Sequence, residues 1–144
     1  MKLIISSDHA GFKLKEILKK FLKNNNLDYE DLGPNKFKKD DDYPDYIIPA
    51  AKKVVRNKTK GIIIGHSGQG EAIAANRVKG IRATVFYGGK KEILTLSRKH
   101  NDSNILSLGA HFLSPSKAKE AVKIWLKTPF SKATRHKRRI KKLK

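Results

Sequence analysis

The sequence contains no cysteine, few acidic residues and no long apolar run. The absence of cysteine excludes disulfide bonds, a thiol nucleophile and thiolate metal ligands, and it agrees with a cytoplasmic location. Polar residues and Asp8 closely follow the first apolar residues, so we expect no secretory signal peptide. No apolar stretch approaches the roughly 20 residues that span a bilayer, so we expect no membrane partner.

Basic residues outnumber acidic ones by 33 to 13, which gives a formal net charge of +20. A field of this size attracts polyanions, so a basic nucleic-acid-binding protein is one function class that the composition allows. The basic residues are spread along the chain, as on solvated helix surfaces, and only the C-terminal run is dense. We therefore expect no specific nucleic-acid partner. The 144 residues suffice for one hydrophobic core, and we expect a single domain over residues 1–144.

Short apolar segments alternate with amphipathic ones along the whole chain. The pattern predicts strands over residues 2–6, 27–32, 61–64, 81–87 and 105–109. It predicts helices over about 12–23, 46–57, from 72 onward, 90–99, 115–127 and, strongly basic, about 131–143. In the first helix we expect the lysines, Lys15 among them, mostly on the solvent face. The alternation is typical of an α/β fold with three αβα layers and a five-stranded parallel sheet, doubly wound in the Rossmann or flavodoxin manner.

A glycine-rich loop follows the central predicted strand. Residues 60–71 read Lys-Gly-Ile-Ile-Ile-Gly-His-Ser-Gly-Gln-Gly-Glu, and a helix follows. A strand, a glycine loop and a helix start together aim free backbone N–H groups and the positive helix end at an anion. Ser67 adds a hydroxyl and Glu71 adds a carboxylate, so the loop could serve chemistry on a phosphorylated or oxyanion-forming substrate. The same pattern also fits a loop that only turns a strand into a helix.

Further polar residues follow other predicted strands or helices. Asp8 and His9 come after the first strand, and they suit either ligand binding or a polar helix cap. Glu71 falls in a first helical turn, where the helix dipole favours the ionised carboxylate of a base. The turn at His100, Asn101 and Asp102 suits proton transfer, although a histidine is also common at a helix end.

The basic run near the C-terminus reads Arg135-His136-Lys137-Arg138-Arg139. Arg135 and Arg139 are four residues apart and share a helix face, so two guanidinium groups could bind one phosphate. A solvated basic tail is the other interpretation. The five histidines lack paired metal-ligand spacing and no Walker A motif follows the glycine loop, so we expect neither a metal nor a cofactor.

Several motifs in order resemble the type B ribose-5-phosphate isomerases and their galactose-6-phosphate isomerase relatives. The matching segments cover almost the whole chain. They are residues 7–12 (Ser-Asp-His-Ala-Gly-Phe), 42–46 (Asp-Tyr-Pro-Asp-Tyr), 65–76, 80–83 (Gly-Ile-Arg-Ala), 97–102 (Ser-Arg-Lys-His-Asn-Asp) and 135–139. One such motif alone would be weak evidence, but the ordered set is specific.

The resemblance implies metal-independent interconversion of ribose 5-phosphate and ribulose 5-phosphate through a cis-enediolate, a step of the pentose phosphate pathway. One subgroup of the family uses a cysteine base at the position of Gly65, and the other uses a glutamate at the position of Glu71. The chain therefore resembles the glutamate subgroup. An isomerase of a six-carbon sugar phosphate, allose 6-phosphate or galactose 6-phosphate, is the alternative within the same chemistry.

The resemblance also assigns roles to individual positions. Glu71 would move the proton, Ser67 with the amides of residues 68–70 (Gly68, Gln69 and Gly70) would hold the enediolate oxygens, and His100 with Asn101 would open the sugar ring. Asp8 and Tyr43 would bind the sugar. The phosphate ligands would be His9, Arg135 and Arg139, with His136 as a further possible contributor.

Family members are homodimers or homotetramers whose active site is shared between chains. The resemblance thus implies that His100 and Asn101 act with Glu71 of another chain. Two positions depart from the family pattern. His111 stands where the family usually has a phosphate-binding arginine, and His66 stands where the glutamate subgroup usually has glycine.

Overall fold

The computed structural model describes residues 1–143, and Lys144 lies outside the described residues. Its strands are β1 (Leu3–Ser7), β2 (Tyr29–Asp31), β3 (Gly61–Gly65), β4 (Ala83–Phe86) and β5 (Ile105–Gly109). Its helices are α1 (Phe12–Asn24), α2 (Tyr43–Asn57), α3 (Gln69–Asn76), α4 (Glu92–Lys99), α5 (Pro115–Lys127) and α6 (Thr134–Lys141). Strands and helices alternate, as the sequence pattern predicts.

The five strands form one parallel sheet in the order β2-β1-β3-β5-β4. The central pair, β3 and β5, aligns Gly61 with Ile105 at one end and Gly65 with Gly109 at the other. Because all strands run in the same direction, the loops that follow them gather at the carboxyl edge of the sheet. The loops that precede them lie at the opposite, amino edge.

Helices cover both faces of the sheet. On one face, α1, α4 and α5 pack on a hydrophobic cluster that includes Leu18, Leu94 and the fully buried Trp125. On the other face, α2 and α3 pack on a cluster that includes Ile47, Val54 and Ala75. This confirms the predicted three-layer, doubly wound architecture. No helix within residues 1–143 is both long and apolar enough to cross a bilayer.

Several element boundaries differ from the sequence prediction. Helix α2 begins at Tyr43 rather than about Tyr46, because Pro44 lies in the first turn, where its missing N–H breaks no helical hydrogen bond. Strands β2 and β4 are shorter than predicted, and α4 begins at Glu92. The predicted basic helix of residues 131–143 is α6, Thr134–Lys141.

The prediction that the lysines of α1 face solvent is wrong for Lys15. Its side chain is fully buried, and its Nζ donates to Asp31 Oδ1 at 2.8 Å and to Asp31 Oδ2 at 2.9 Å. Its Nζ also donates to the carbonyl of Pro34. The ammonium group thus ties α1 to the end of β2. A buried cation is compatible with the core here because each of its contacts is a hydrogen-bond acceptor.

Candidate active site at the edges of the sheet

The glycine loop between β3 and α3 is held by neighbouring backbone. Gly68 has a φ of +79°, and a Cβ there would lie 3.0 Å from the carbonyl carbon of Leu108, so this position requires glycine. Ser107 Oγ donates to the carbonyl of Gly68 at 2.6 Å, and the amides of Ala110 and His111 donate to the carbonyls of residues 65 and 66. These bonds fix the loop on the end of β5.

The first turn of α3 supplies the expected anion-binding groups. Helix geometry leaves its first amides without intrahelical acceptors, and the amide of Gln69 donates to Ser67 Oγ at 3.2 Å. A Cβ at Gly70 would lie 2.9 Å from Tyr43 Cζ, so the tyrosine ring packs directly over this turn. The predicted site residues Tyr43, Ser67 and Gly70 are therefore neighbours.

Glu71 is buried, with 4% of its surface exposed. A Cβ added at Gly65 would overlap the Glu71 carboxylate, so glycine at the end of β3 makes the space that this carboxylate occupies. Burial raises the pKa of the Glu71 carboxyl above its usual value, and Asp8 adds to the rise through its charge and a hydrogen bond. The amide of Glu71 opposes this effect. The helix end thus favours ionisation, as expected, but burial outweighs this effect.

Asp8 and His9 follow β1 and lie at the same edge of the sheet. Asp8 is buried, and its Oδ1 accepts from the amide of Gly11 at 3.1 Å. His9 Nδ1 lies 2.6 Å from Asp41 Oδ1, a contact that raises the pKa of His9. Asp41 was not among the residues singled out from the sequence. Its only signal there was an acidic run, residues 40–42, in a loop without apolar periodicity.

Asp8, His9 and Asp41 are also the residues of the described chain that could hold a metal ion. One ligand atom from each lies within 4.8 Å of the others. The spacing of histidines in the sequence gave no sign of this set, because two of its members are carboxylates from distant segments. Because His9 Nδ1 and Asp41 Oδ1 contact each other directly at 2.6 Å, we assign these two residues to a hydrogen-bonded pair and not to a set of metal ligands.

His66 and His111, the two departures from the family pattern, stack on one another. Their ring centroids lie 4.3 Å apart and their planes differ by 16°. Both side chains are exposed and line a cavity of about 340 Å³ between α1 and the loop after β5. The basic Lys13 and the apolar Leu14 line the same cavity, so its wall is partly basic and partly apolar.

His100 and Asn101 lie at the other edge of the sheet. His100 caps the C-terminus of α4, and the carbonyl of Asn101 accepts from Arg82 Nε at 2.9 Å, next to the start of β4. The ring of His100 lies 4.2 Å from that of His136 on α6. Burial lowers the pKa of His136, and the charges of His100, Arg135 and Arg139 lower it further.

Asp102 has a structural role beside this pair. Its carboxylate accepts from Arg98 at 2.8 Å and lies 3.4 Å from Arg82. Arg98 is itself buried and donates to the carbonyl of Thr128 at 3.0 Å, which holds the chain that leads into α6. Asp102 therefore fixes the turn that presents His100 and does not act as a free proton-transfer group.

The candidate residues thus form two separate groups. The carboxyl-edge cluster contains Asp8, His9, Tyr43, residues 66–71 and His111. The amino-edge cluster contains His100, Asn101, Arg135, His136 and Arg139, with both arginines exposed on α6. The length of a five-residue strand, about 13 Å, separates the two edges. The fold gathers the residues of each cluster but keeps the clusters apart within one chain.

Known proteins match the chain over nearly its full length. The family model described as Ribose/Galactose Isomerase matches residues 3–143. A curated relative from Mycoplasma genitalium, named "Probable ribose-5-phosphate isomerase B", is 40% identical over 143 residues, which are 98% of this chain and 92% of the relative.

Solved structures agree in sequence and in fold. Ribose-5-phosphate isomerase B from Clostridium thermocellum is 38% identical with a TM-score of 0.93, and the match covers 99% of this chain and 95% of the other. The Mycoplasma genitalium enzyme, solved with bound ribulose-5-phosphate, is 38% identical with a TM-score of 0.92 and coverage of 99% and 93%. On this evidence, the chain belongs to the ribose/galactose isomerase family.

Proposed function

We propose that this protein is a type B ribose-5-phosphate isomerase, which interconverts ribose 5-phosphate and ribulose 5-phosphate in the pentose phosphate pathway. The observation that carries the proposal is the buried Glu71 carboxylate over Gly65, beside the amides that begin α3. The names of full-length relatives support the same substrate pair. The lack of cysteine supports the cytoplasm as its location.

Glu71 is the base in this proposal. In the open-chain aldose it takes the proton from C2, the electron pair of that bond forms a double bond between C1 and C2, and the electron pair of the C1 carbonyl moves onto O1. It then returns the proton to C1 as the carbonyl forms at C2, while the hydroxyl proton of O2 passes to O1. The raised pKa of Glu71 suits both steps, because a carboxylate whose pKa lies closer to neutral accepts and returns a proton more readily.

The enediolate carries negative charge on its oxygens during this transfer. Ser67 and the amides of residues 68–70 are the donors that we assign to it. They belong to a loop held on β5 and to the positive end of α3, so they need little rearrangement when the charge develops. Asp8 and Tyr43, which adjoin Glu71 and Gly70 respectively, bind the sugar hydroxyl groups.

The remaining steps use both clusters. His100, assisted by Asn101, opens the furanose ring, and His9 with Arg135 and Arg139 binds the phosphate. His136 supports His100 through ring contact.

The two edges of one chain lie too far apart for a single sugar phosphate, so the amino-edge cluster of one chain acts with the carboxyl-edge cluster of another. We therefore propose a homodimer, alone or within a homotetramer, with two shared sites.

Apolar side chains beside the edge strand β4 support this assembly. Ile73 on α3 is 60% exposed, and Ile93 and Leu96 on α4 are 48% and 37% exposed. An apolar surface that flanks an edge strand suits burial against a second copy of the chain. We assign the +20 charge to general attraction of anions rather than to nucleic-acid recognition, since the candidate catalytic groups occur together in this chain.

Replacement of Glu71 by glutamine tests the base. Glu71→Gln should lower kcat for ribose 5-phosphate by about 10³-fold, because glutamine cannot take the proton. Nuclear magnetic resonance of the sugar measures the interconversion, and calorimetry should show that substrate still binds. Glu92→Gln, an exposed first-turn glutamate on α4, is the matched control and should keep full activity. Near-normal turnover by Glu71→Gln would overturn the assignment.

The preferred sugar requires a separate comparison. Rates of the unaltered protein on ribose 5-phosphate, allose 6-phosphate and galactose 6-phosphate should be highest for the five-carbon substrate. A higher rate on a six-carbon substrate would support the same isomerisation chemistry, but the preferred substrate would then be a six-carbon sugar phosphate.

A further inference from the structure

The charged loop of residues 35–42, which precedes α2, buries one carboxylate beside the proposed active site. The side chain of Asp41 is only 2% exposed. Its Oδ1 accepts from the amide of His9 at 3.0 Å and lies 2.6 Å from His9 Nδ1. Its Oδ2 is buried and has no hydrogen-bond partner among residues 1–143. His9 is thus the residue that compensates this buried charge.

Contact with both the backbone and the ring of His9 fixes the orientation of the imidazole. With Nδ1 directed at Asp41, the proton on that nitrogen is held and Nε2 remains available for a ligand. The imidazole is 36% exposed, and Phe37 of the same loop packs its ring edge 6.4 Å away. Phe37 packs in turn against Phe12 at 6.3 Å, so the loop restrains the histidine from two sides.

We propose that Asp41 is the positioning residue for His9, which it orients so that the Nε2–H group donates to the phosphate of the sugar substrate. The inference rests on the proposed function, because it requires an anionic substrate beside His9. It adds a residue for which neither the sequence motifs nor the comparisons assign a role. Asp41 itself does not contact the substrate.

The charge state of His9 decides whether Nε2 can donate. When Nδ1–H is directed at Asp41, neutral imidazole leaves a lone pair on Nε2, which repels a phosphate oxygen, whereas imidazolium presents an N–H group. The charged groups that act on the ring are Asp8 on its own loop and Asp40 and Asp41 on the facing loop. The hydrogen bond to Asp41 is the largest influence and raises the pKa of His9, against the effect of burial.

A titration followed by nuclear magnetic resonance tests the first half of the proposal without any substrate. In Asp41→Asn the asparagine oxygen can still accept the hydrogen bonds, but the negative charge is lost. The pKa of His9 should therefore fall relative to the unaltered protein, and Asp45→Asn, an exposed acid on α2, should leave it unchanged. The spectrum of His9→Asn identifies the resonance. An unchanged His9 pKa in Asp41→Asn would overturn the proposal even if the isomerase activity were absent.

Kinetics test the second half. Asp41→Asn should raise KM for ribose 5-phosphate roughly tenfold with little change in kcat, since a charge-assisted hydrogen bond to phosphate weakens. Because His9 then loses its proton at lower pH, the alkaline fall in kcat/KM should move to lower pH. In a His9→Asn background, which itself raises KM, Asp41→Asn should have no further effect.

Three results would contradict the role of Asp41. If Asp41→Asn raised KM by its full amount in the His9→Asn background as well, Asp41 would be a general structural residue that does not act through His9. A normal KM in His9→Asn would remove His9 from phosphate binding. Stoichiometric Zn²⁺ binding by the unaltered protein, lost in Asp41→Asn and accompanied by higher activity with Zn²⁺, would make the cluster a metal site instead. If the unaltered protein did not isomerise the sugar while the His9 pKa moved as expected, the proposed function and the phosphate role of His9 would fail together, and only the effect of Asp41 on His9 would stand.

Discussion

At the scale of single residues, His111 offers the clearest test of how the phosphate is bound. Its imidazole stacks on His66 at the carboxyl edge, where the family resemblance implies an arginine. A guanidinium group can donate two parallel hydrogen bonds to phosphate and can also stack on an aromatic ring. His111→Arg should therefore lower KM for ribose 5-phosphate several-fold and leave kcat nearly unchanged in a steady-state assay.

His111→Asn is the matched control for that change. It removes the stacked imidazole ring and its nitrogen atoms, and it should raise KM. If both variants kept the KM of the unaltered protein, position 111 would not contact the phosphate, and the cavity beside it would serve another part of the substrate.

Glu71 could be identified as the candidate base from the sequence, but the groups that surround its carboxylate could not. A glutamate in a first helical turn is readily predicted from the glycine loop before it. Its carboxylate occupies the space that Gly65 leaves at the end of β3, where burial raises its pKa, and Asp8, which follows β1, adds to the rise. Asp41 was missed for a related reason. Its importance comes from contact with His9, 32 residues away, and not from any local pattern.

At the scale of elements, the ion pair between the buried Lys15 and the partly buried Asp31 joins α1 to β2. Burial disfavours the ionised form of Asp31, but hydrogen bonds from Lys15, Lys19 and the amide of Gly33 outweigh it, so the pKa of Asp31 is lowered. A lowered pKa means that the interaction stabilises the fold above the pKa of the unfolded chain. That contribution is lost as the pH falls through the folded-state pKa.

Lys15→Met should lower the free energy of unfolding by about 3 kcal/mol, because it leaves the partly buried Asp31 carboxylate and the Pro34 carbonyl short of a donor. Urea unfolding at neutral pH measures the loss. Lys20→Met, on an exposed position of the same helix, should change stability little. The difference between the two variants should shrink in acid as Asp31 becomes protonated. An equal effect of both variants would show that the pair contributes no net stability.

Helix and strand order could be predicted from periodicity, whereas several boundaries could not. The N-cap Ser114 with Pro115 marked the start of α5 correctly, and Ser114 Oγ accepts from the amide of Lys117 at 3.2 Å. Tyr43 belongs to α2 although Pro44 follows it, and Lys15 is buried although its charge predicts a solvent-facing position. The proline in the first turn of α2 is a local signal that favours this start, whereas the burial of Lys15 depends on tertiary contacts with Asp31 and Pro34.

At the scale of the whole molecule, the separation of the two clusters is the reason for proposing a site shared between chains. Glu71 follows β3 at the carboxyl edge, and His100 precedes β5 at the amino edge. The sequence order of the elements already implies this separation once the sheet is known to be parallel. The relative placement of two chains in the proposed dimer cannot be predicted from the sequence, because it would depend on exposed surfaces such as the one around Ile73.

Mixing two inactive variants tests whether the proposed site is shared. Glu71→Gln lacks the base and His100→Ala lacks the ring-opening group, so each homodimer should be inactive on ribose 5-phosphate. A mixed dimer would combine Glu71 of one chain with His100 of the other in one of its two sites. After equal amounts are unfolded and refolded together, about a quarter of the unaltered activity should return, since half of the dimers are mixed.

The same mixture separates a shared site from one within a single chain. If Glu71 acted with His100 of its own chain, every site in a mixed dimer would carry one of the two changes and no activity would return. Ile73→Asp, introduced into both variants, should reduce the recovery, because a charge on the proposed contact surface weakens pairing. Sedimentation of that double variant should then show monomers with the fold retained by circular dichroism, whereas dimers of undiminished stability would place the interface on another surface.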